Sequence, residues 1–192
     1  MTSRFIPGTA LGATLIATAL LATPALAHTG HDAGGLVAGL SHPILGLDHI
    51  LAMIAVGLFA AQSGGKSKFT LPALFVVTML AGGALGLSAL SVPFVEAGIV
   101  GSVVLLGAAI AFGRKIPTAI SASMIALFAA FHGVAHGAEI PAATSVLTFA
   151  AGMTISTAAL HVLGLGIGTV APVVLRYAGA AIALSGLALT AM

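Results

Sequence analysis

The sequence contains no cysteine and no tryptophan, and charge is nearly absent: six Lys and Arg and four Asp and Glu make up 5% of 192 residues. Without cysteine there are neither disulfides nor thiolate ligands. Any metal site must therefore use nitrogen and oxygen donors, which suit Ni, Co, Zn, Fe or Mn better than Cu(I). A soluble domain carries about 25% charged residues. This chain, 59% hydrophobic, cannot cover a water-facing surface. Its net charge of +2 rests on few residues and points to no nucleic-acid partner. The apolar runs approach 20 residues without alternating with polar positions, which argues against membrane strands. No nucleotide-binding glycine loop is present, so the chain does not hydrolyse ATP by itself. What remains is an all-α membrane protein, one helical bundle with no room for a soluble domain.

The first 27 residues read as a cleaved signal peptide. Arg4 gives a positive start, residues 10–22 a short apolar core, and Ala25-Leu26-Ala27 the small-x-small cleavage pattern after Pro24. The mature domain then runs over 28–192. Six apolar segments follow near 36–62, 70–91, 94–113, 117–138, 141–169 and 172–191. Each is long enough to cross about 30 Å of hydrocarbon. Gly, Pro and Lys mark the joints, as in Ser63-Gly64-Gly65-Lys66-Ser67-Lys68 and Gly113-Arg114-Lys115-Ile116-Pro117. With the mature N-terminus outside, Lys66, Lys68, Arg114, Lys115 and Arg176 all fall on the cytoplasmic side, as the positive-inside rule requires. The expected location is a bacterial inner membrane, with both mature termini periplasmic. Glycine is frequent, at 25 residues, and small residues let membrane helices approach closely.

The few ionisable groups within these segments carry the chemistry. Each costs about 3 kcal/mol at mid-bilayer, so such groups usually mark an ion or substrate path. His132, His136 and Glu139, spaced by four and three, share one helical face. His42, Asp48 and His49 lie in the outer half of the first segment, Glu96 at the outer start of the third, and His132, His136 and Glu139 toward the outer end of the fourth. Groups from three segments thus gather toward one leaflet, as entry of a metal ion from outside requires. On a regular helix His42 and His49, seven apart, share a face while Asp48 points about 120° away. Pro43 and Gly46 allow a local break that would turn Asp48 inward. Asp48 has a second reading, as the carboxylate that fixes an imidazole's tautomer. Glu96 is either a ligand or proton relay, or a carboxylate meeting a helix dipole. His161 is either a hydrogen-bond partner between helices or a stop on an exit path. Phe75 and Phe131 either shape that path or pack. His28, His31 and Asp32 form either a metal-capturing tail or a solvated one.

On His42-x5-Asp48-His49 and Phe131-His132-Gly133-x-Ala135-His136-Gly137-x-Glu139, the chain resembles the HupE/UreJ family of nickel/cobalt permeases. The likeness spans the whole mature chain. It implies uptake of Ni²⁺, or Co²⁺ in its place, from periplasm to cytoplasm in support of hydrogenase or urease maturation; the nitrogen and oxygen donors would also accept Zn²⁺. It implies that His42, Asp48, His49, His132, His136 and Glu139 form the metal site. The family's acidic residue of the third segment falls on Glu96 and its aromatic of the second on Phe75. The partners so implied are the ion, membrane lipids and cytoplasmic nickel chaperones. The related eight-span transporters carry a His-x4-Asp-His motif, and the longer gap here sets the chain apart. Two competing classes use the same residues. An intramembrane metalloenzyme would hold zinc on His132, His136 and Glu139 with an open position, but no separate general base stands out. A b-type cytochrome would grip haem between two His, but acidic neighbours argue against it.

Overall fold

The computed structural model describes residues 34–88 and 92–191. The expected signal peptide over 1–27, and His28, His31 and Asp32, lie outside the described residues. Those described are helical, with no strand among them. The helices are α1 (Gly35–Leu45), α2 (Leu47–Ser63), α3 (Ser67–Gly86), α4 (Val95–Phe112), α5 (Thr118–Ala138), α6 (Val146–Val170) and α7 (Leu175–Leu189), the last entered through a 3-10 turn at Pro172–Val174. Helices α3 to α6, and α7 with its turn, are each long and apolar enough to cross a membrane. The α1–α2 pair makes a sixth candidate if counted as one broken span.

The core is apolar, as in a water-soluble protein, but so are the exposed faces. Val77, Leu105, Leu127, Leu147, Ile155 and Leu184 are exposed on the helix faces, while His132, His136 and His161 are buried. Helices that are apolar all round require lipid or protein on every side. Central among them is α2, buried continuously from Ala55 to Ala60 and flanked by α3, α4 and α6.

The segment expected as one helix over 36–62 is two helices whose axes differ by 83°. Pro43 lacks the N–H that a helix interior needs, and its ring crowds the carbonyl one turn back. The helix ends two residues later, and Gly46 adopts an extended conformation (φ −97°, ψ 123°) that starts α2 on a new axis. His42 and His49 therefore do not share one helical face, as their spacing suggested. They sit on either side of a corner. The segment expected from 141 starts as a helix only at Val146, because Pro141 to Thr144 form a turn closed by the Thr144 N–H to the Pro141 carbonyl (2.8 Å).

Glycines join the helices in sets. Gly39 of α1 lies against the Phe149 backbone of α6, and Gly152 of α6 lies against Leu36 and Leu40 of α1. Gly57 and Gly164 join α2 to α6 in the same reciprocal way, Gly82 and Gly133 join α3 to α5, and Gly107 and Gly179 join α4 to α7. By contrast α3 and α6 meet at few positions.

The connectivity separates charge. Lys66 and Lys68 follow α2 directly, Arg114 and Lys115 close a cavity with Gln62 and Ser63 at the end of α2, and Arg176 lies against Gly113. The acids of the described part, Asp48, Glu96 and Glu139, are at the opposite helix ends. A side chain at Gly133 would overlap the Met79 carbonyl, whereas one at Gly101 meets nothing. Gly133→Val should therefore destabilise the detergent-solubilised protein by about 1–3 kcal/mol, seen as a lower apparent Tm. Gly101→Ala, which meets nothing and removes a glycine from a helix interior, should leave that Tm at or above the wild-type value.

Candidate metal centre

The corner at Gly46 sets the end of α1 and the start of α2 beside the last turns of α5. Four imidazoles meet there. The His42 ring centroid is 4.8 Å from that of His136 and 6.1 Å from that of His49. His49 is 4.7 Å from His136 and 5.5 Å from His132, and His132 is 6.2 Å from His136. The pair on α5 shares its face because four residues are close to one helical turn.

Two of these rings have their tautomer set. His49 Nδ1 pairs with Asp48 Oδ1 at 2.7 Å, and the same oxygen accepts the His49 backbone N–H at 2.8 Å. His132 Nδ1–H donates to the Phe128 carbonyl one turn back, at 2.9 Å. In both rings Nε2 is buried and has no hydrogen-bond partner, and neither has Nδ1 of His136. A ring nitrogen held by a carboxylate or carbonyl, with the other presenting a lone pair, is the usual arrangement of a metal-ligating histidine. The break that the sequence allowed at Pro43 and Gly46 is present, and Asp48 pairs with an imidazole, that of His49. Its position in the first turn of α2 also suits the helix dipole.

Glu139 closes the cluster from just beyond α5. Its Oε2 accepts from His42 Nε2 at 3.0 Å and lies 3.8 Å from His136 Nδ1, an electrostatic contact rather than a hydrogen bond. The two imidazoles, His136 first and then His42, hold this half-exposed carboxyl well below the ordinary carboxylate range. A carboxylate at a helix C-terminus opposes the dipole, so its stability there depends on these neighbours. One ligand atom each from His42, His136 and Glu139 lie within 4.8 Å of one another. An ion of zinc's size holds such atoms at about 2.1 Å, so no two can be more than about 4.2 Å apart. Closure of roughly half an ångström would bring the three onto one ion.

The remaining candidates are placed differently. Phe75 is fully buried, edge-on to His132 (5.6 Å) and to His161 (5.1 Å). His161, expected either to bond a neighbouring helix or to stand on a path, forms no hydrogen bond at either ring nitrogen. Glu96 is exposed in the first turn of α4, makes no ion pair with the cluster, and occupies the favourable end of the helix dipole. Phe131 packs on Gly98 of α4, away from the imidazoles. Sequence reasoning missed Phe149, whose ring lies 5.5 Å from His42, and the buried Met79, Met153 and Thr157. A signal was present: Phe149, Met153, Thr157 and His161 recur every four residues, as do Leu71, Phe75 and Met79.

The sequence model for the HupE / UreJ protein family matches residues 16–189. The chain belongs to the HupE/UreJ family. Protein HupE of Rhizobium leguminosarum bv. viciae is 45% identical over 178 residues, covering 89% of this chain and 93% of that protein. No solved structure matches the chain. Membership in the HupE/UreJ family thus extends over every helix of the bundle, from α1 into α7.

Because Asp48 holds the His49 ring, Asp48→Asn should leave the fold intact and weaken Co²⁺ binding about 10–100-fold, as removal of a ligand's supporting partner does. Equilibrium dialysis of the purified protein measures this. An unchanged affinity would separate Asp48 from the metal centre.

Proposed function

We propose that this HupE/UreJ protein is a six-span permease that carries Ni²⁺, or Co²⁺ in its place, across the bacterial inner membrane to the cytoplasm. The observation that carries the reading is the meeting of His42, His49, His132 and His136 with Glu139, with unshared ring nitrogens facing inward. Nitrogen and oxygen donors without sulfur suit these ions. The family resemblance points to the same cargo, and to hydrogenase or urease as its destination.

The orientation follows from charge. The basic ends, at Lys66, Lys68, Arg114, Lys115 and Arg176, belong on the cytoplasmic side, which puts the imidazole cluster and both mature termini toward the periplasm. A hydrated cation is drawn to the half-exposed Glu139 and sheds water as His42 and His136 replace part of its shell. His49, held by Asp48, and His132, held by the Phe128 carbonyl, offer the next donors inward. An inside-negative potential contributes about 2.3 kcal/mol per charge for each 100 mV. For a divalent ion this is roughly 4.6 kcal/mol, on the order of a thousandfold accumulation without ATP. Cytoplasmic nickel chaperones would hold the product of that gradient.

The test is accumulation of radiolabelled Ni²⁺ by cells making the wild type, His136→Ala or Glu139→Gln at matched membrane levels. Both variants should lose most uptake, because each removes a donor from the mouth of the site. In proteoliposomes, collapsing the potential should bring internal nickel down to the external concentration. Equal uptake by all three proteins would rule out the site, and accumulation indifferent to potential would rule out the driving force.

A further inference from the structure

Two cavities lie along the seam between α3 and α6, and they share no lining residue. The first, about 130 Å³, is bordered by His136, Met79, Met153 and Phe149, and so adjoins the imidazole cluster. The second, about 400 Å³, is an open apolar groove near the basic end of the bundle, bordered by His161 and Leu165 of α6, by Lys68 and Pro72 of α3, and by the exposed Phe69 and Val162. Between them Thr157 Oγ1 lies 3.9 Å from Met79 Sδ, both side chains buried. Thr157 is one turn from His161 on the same face of α6, and Met79 is one turn from Phe75 on α3. The Phe75 ring stands edge-on between His132 and His161.

His161 is out of place as a packing residue. It is 2% exposed, and both ring nitrogens lack a partner among the described residues. Its backbone is fixed, since Gly57 of α2 packs on the His161 carbonyl. A buried imidazole with no partner costs free energy unless something else supplies the missing bond. We propose that His161 is a second, inner cation-binding station, separated from the outer imidazole cluster by Phe75 and reached along the α3–α6 seam. The seam suits passage because α3 is fixed to α5 and α6 to α1 and α2 by glycine contacts, leaving the α3–α6 contact the thin one. Lys68 borders the same groove as His161, and its like charge favours release of an ion from His161 over retention. The direction of this traffic rests on the permease reading; the existence of the station does not.

The absence of cysteine makes the station directly readable. In His161→Cys the only thiol of the chain sits at the proposed site. Titration of the purified variant with Co²⁺ should produce a near-ultraviolet sulfur-to-cobalt charge-transfer band that the wild type lacks. His161→Gln, which keeps a polar side chain of similar reach, should bind Ni²⁺ at the outer cluster as the wild type does. Its nickel uptake should nevertheless fall about tenfold or more, the size of loss that perturbing even a ligand's supporting partner brings. No band in a monodisperse His161→Cys protein overturns the station, and so does wild-type uptake by His161→Gln. A band in a protein whose wild type carries no nickel would support the station and overturn the permease reading instead.

Discussion

Close backbone contact at glycine is the constraint on which this bundle depends. Within lipid, helices gain little from leaving their surroundings, so association rests on packing and on how near two backbones can come. The glycine pairs that provide this proximity adjoin the polar residues. Gly39 is one turn from His42, Gly133 follows His132, and Gly137 follows His136. The contact that holds α3 against α5 therefore also sets the height and facing of two imidazoles, and the contact that holds α1 against α6 sets a third. Positioning of the site and assembly of the fold are one set of interactions.

The second organising feature is the corner at Gly46. A straight helix through this region would carry His42 and His49 down one face and send Asp48 elsewhere. Breaking it lets two short elements approach the end of α5 from different directions, so three chain segments contribute side chains to one small volume. Irregular backbone at membrane depth is tolerated where it lines a cavity or is covered by protein; here Pro43 is buried while Ile44, Leu45 and Leu47 stay exposed beside it. Pro43 ends the first helix at the cost of one hydrogen bond, and Asp48 holds the His49 ring at the start of the next.

Several ring nitrogens of the cluster find no hydrogen-bond partner among the described residues. Leaving such buried donors or acceptors unsatisfied costs on the order of 1–3 kcal/mol each. A visiting cation would satisfy them, which makes the strain intelligible under the proposed function. Conduction needs a site attractive enough to enter and weak enough to leave. A closed, pre-formed tetrahedral cage would trap its cargo.

Composition alone settled that the chain is helical and apolar on every side, because few charges and long unalternating runs leave no other packing. The four-residue spacing settled that His132 and His136 face the same way, because one helical turn is nearly four residues. Charge placement along the chain anticipated the separation of basic and acidic helix ends, since consecutive membrane helices must alternate in direction. None of this could show that Glu96 and Phe131 would stand apart from the imidazoles, or that Phe75 would come between His132 and His161. Those outcomes hang on the angle at Gly46 and on which glycines meet across helices. Both are long-range choices made by the packed bundle, and a linear pattern of residue types does not encode a crossing partner.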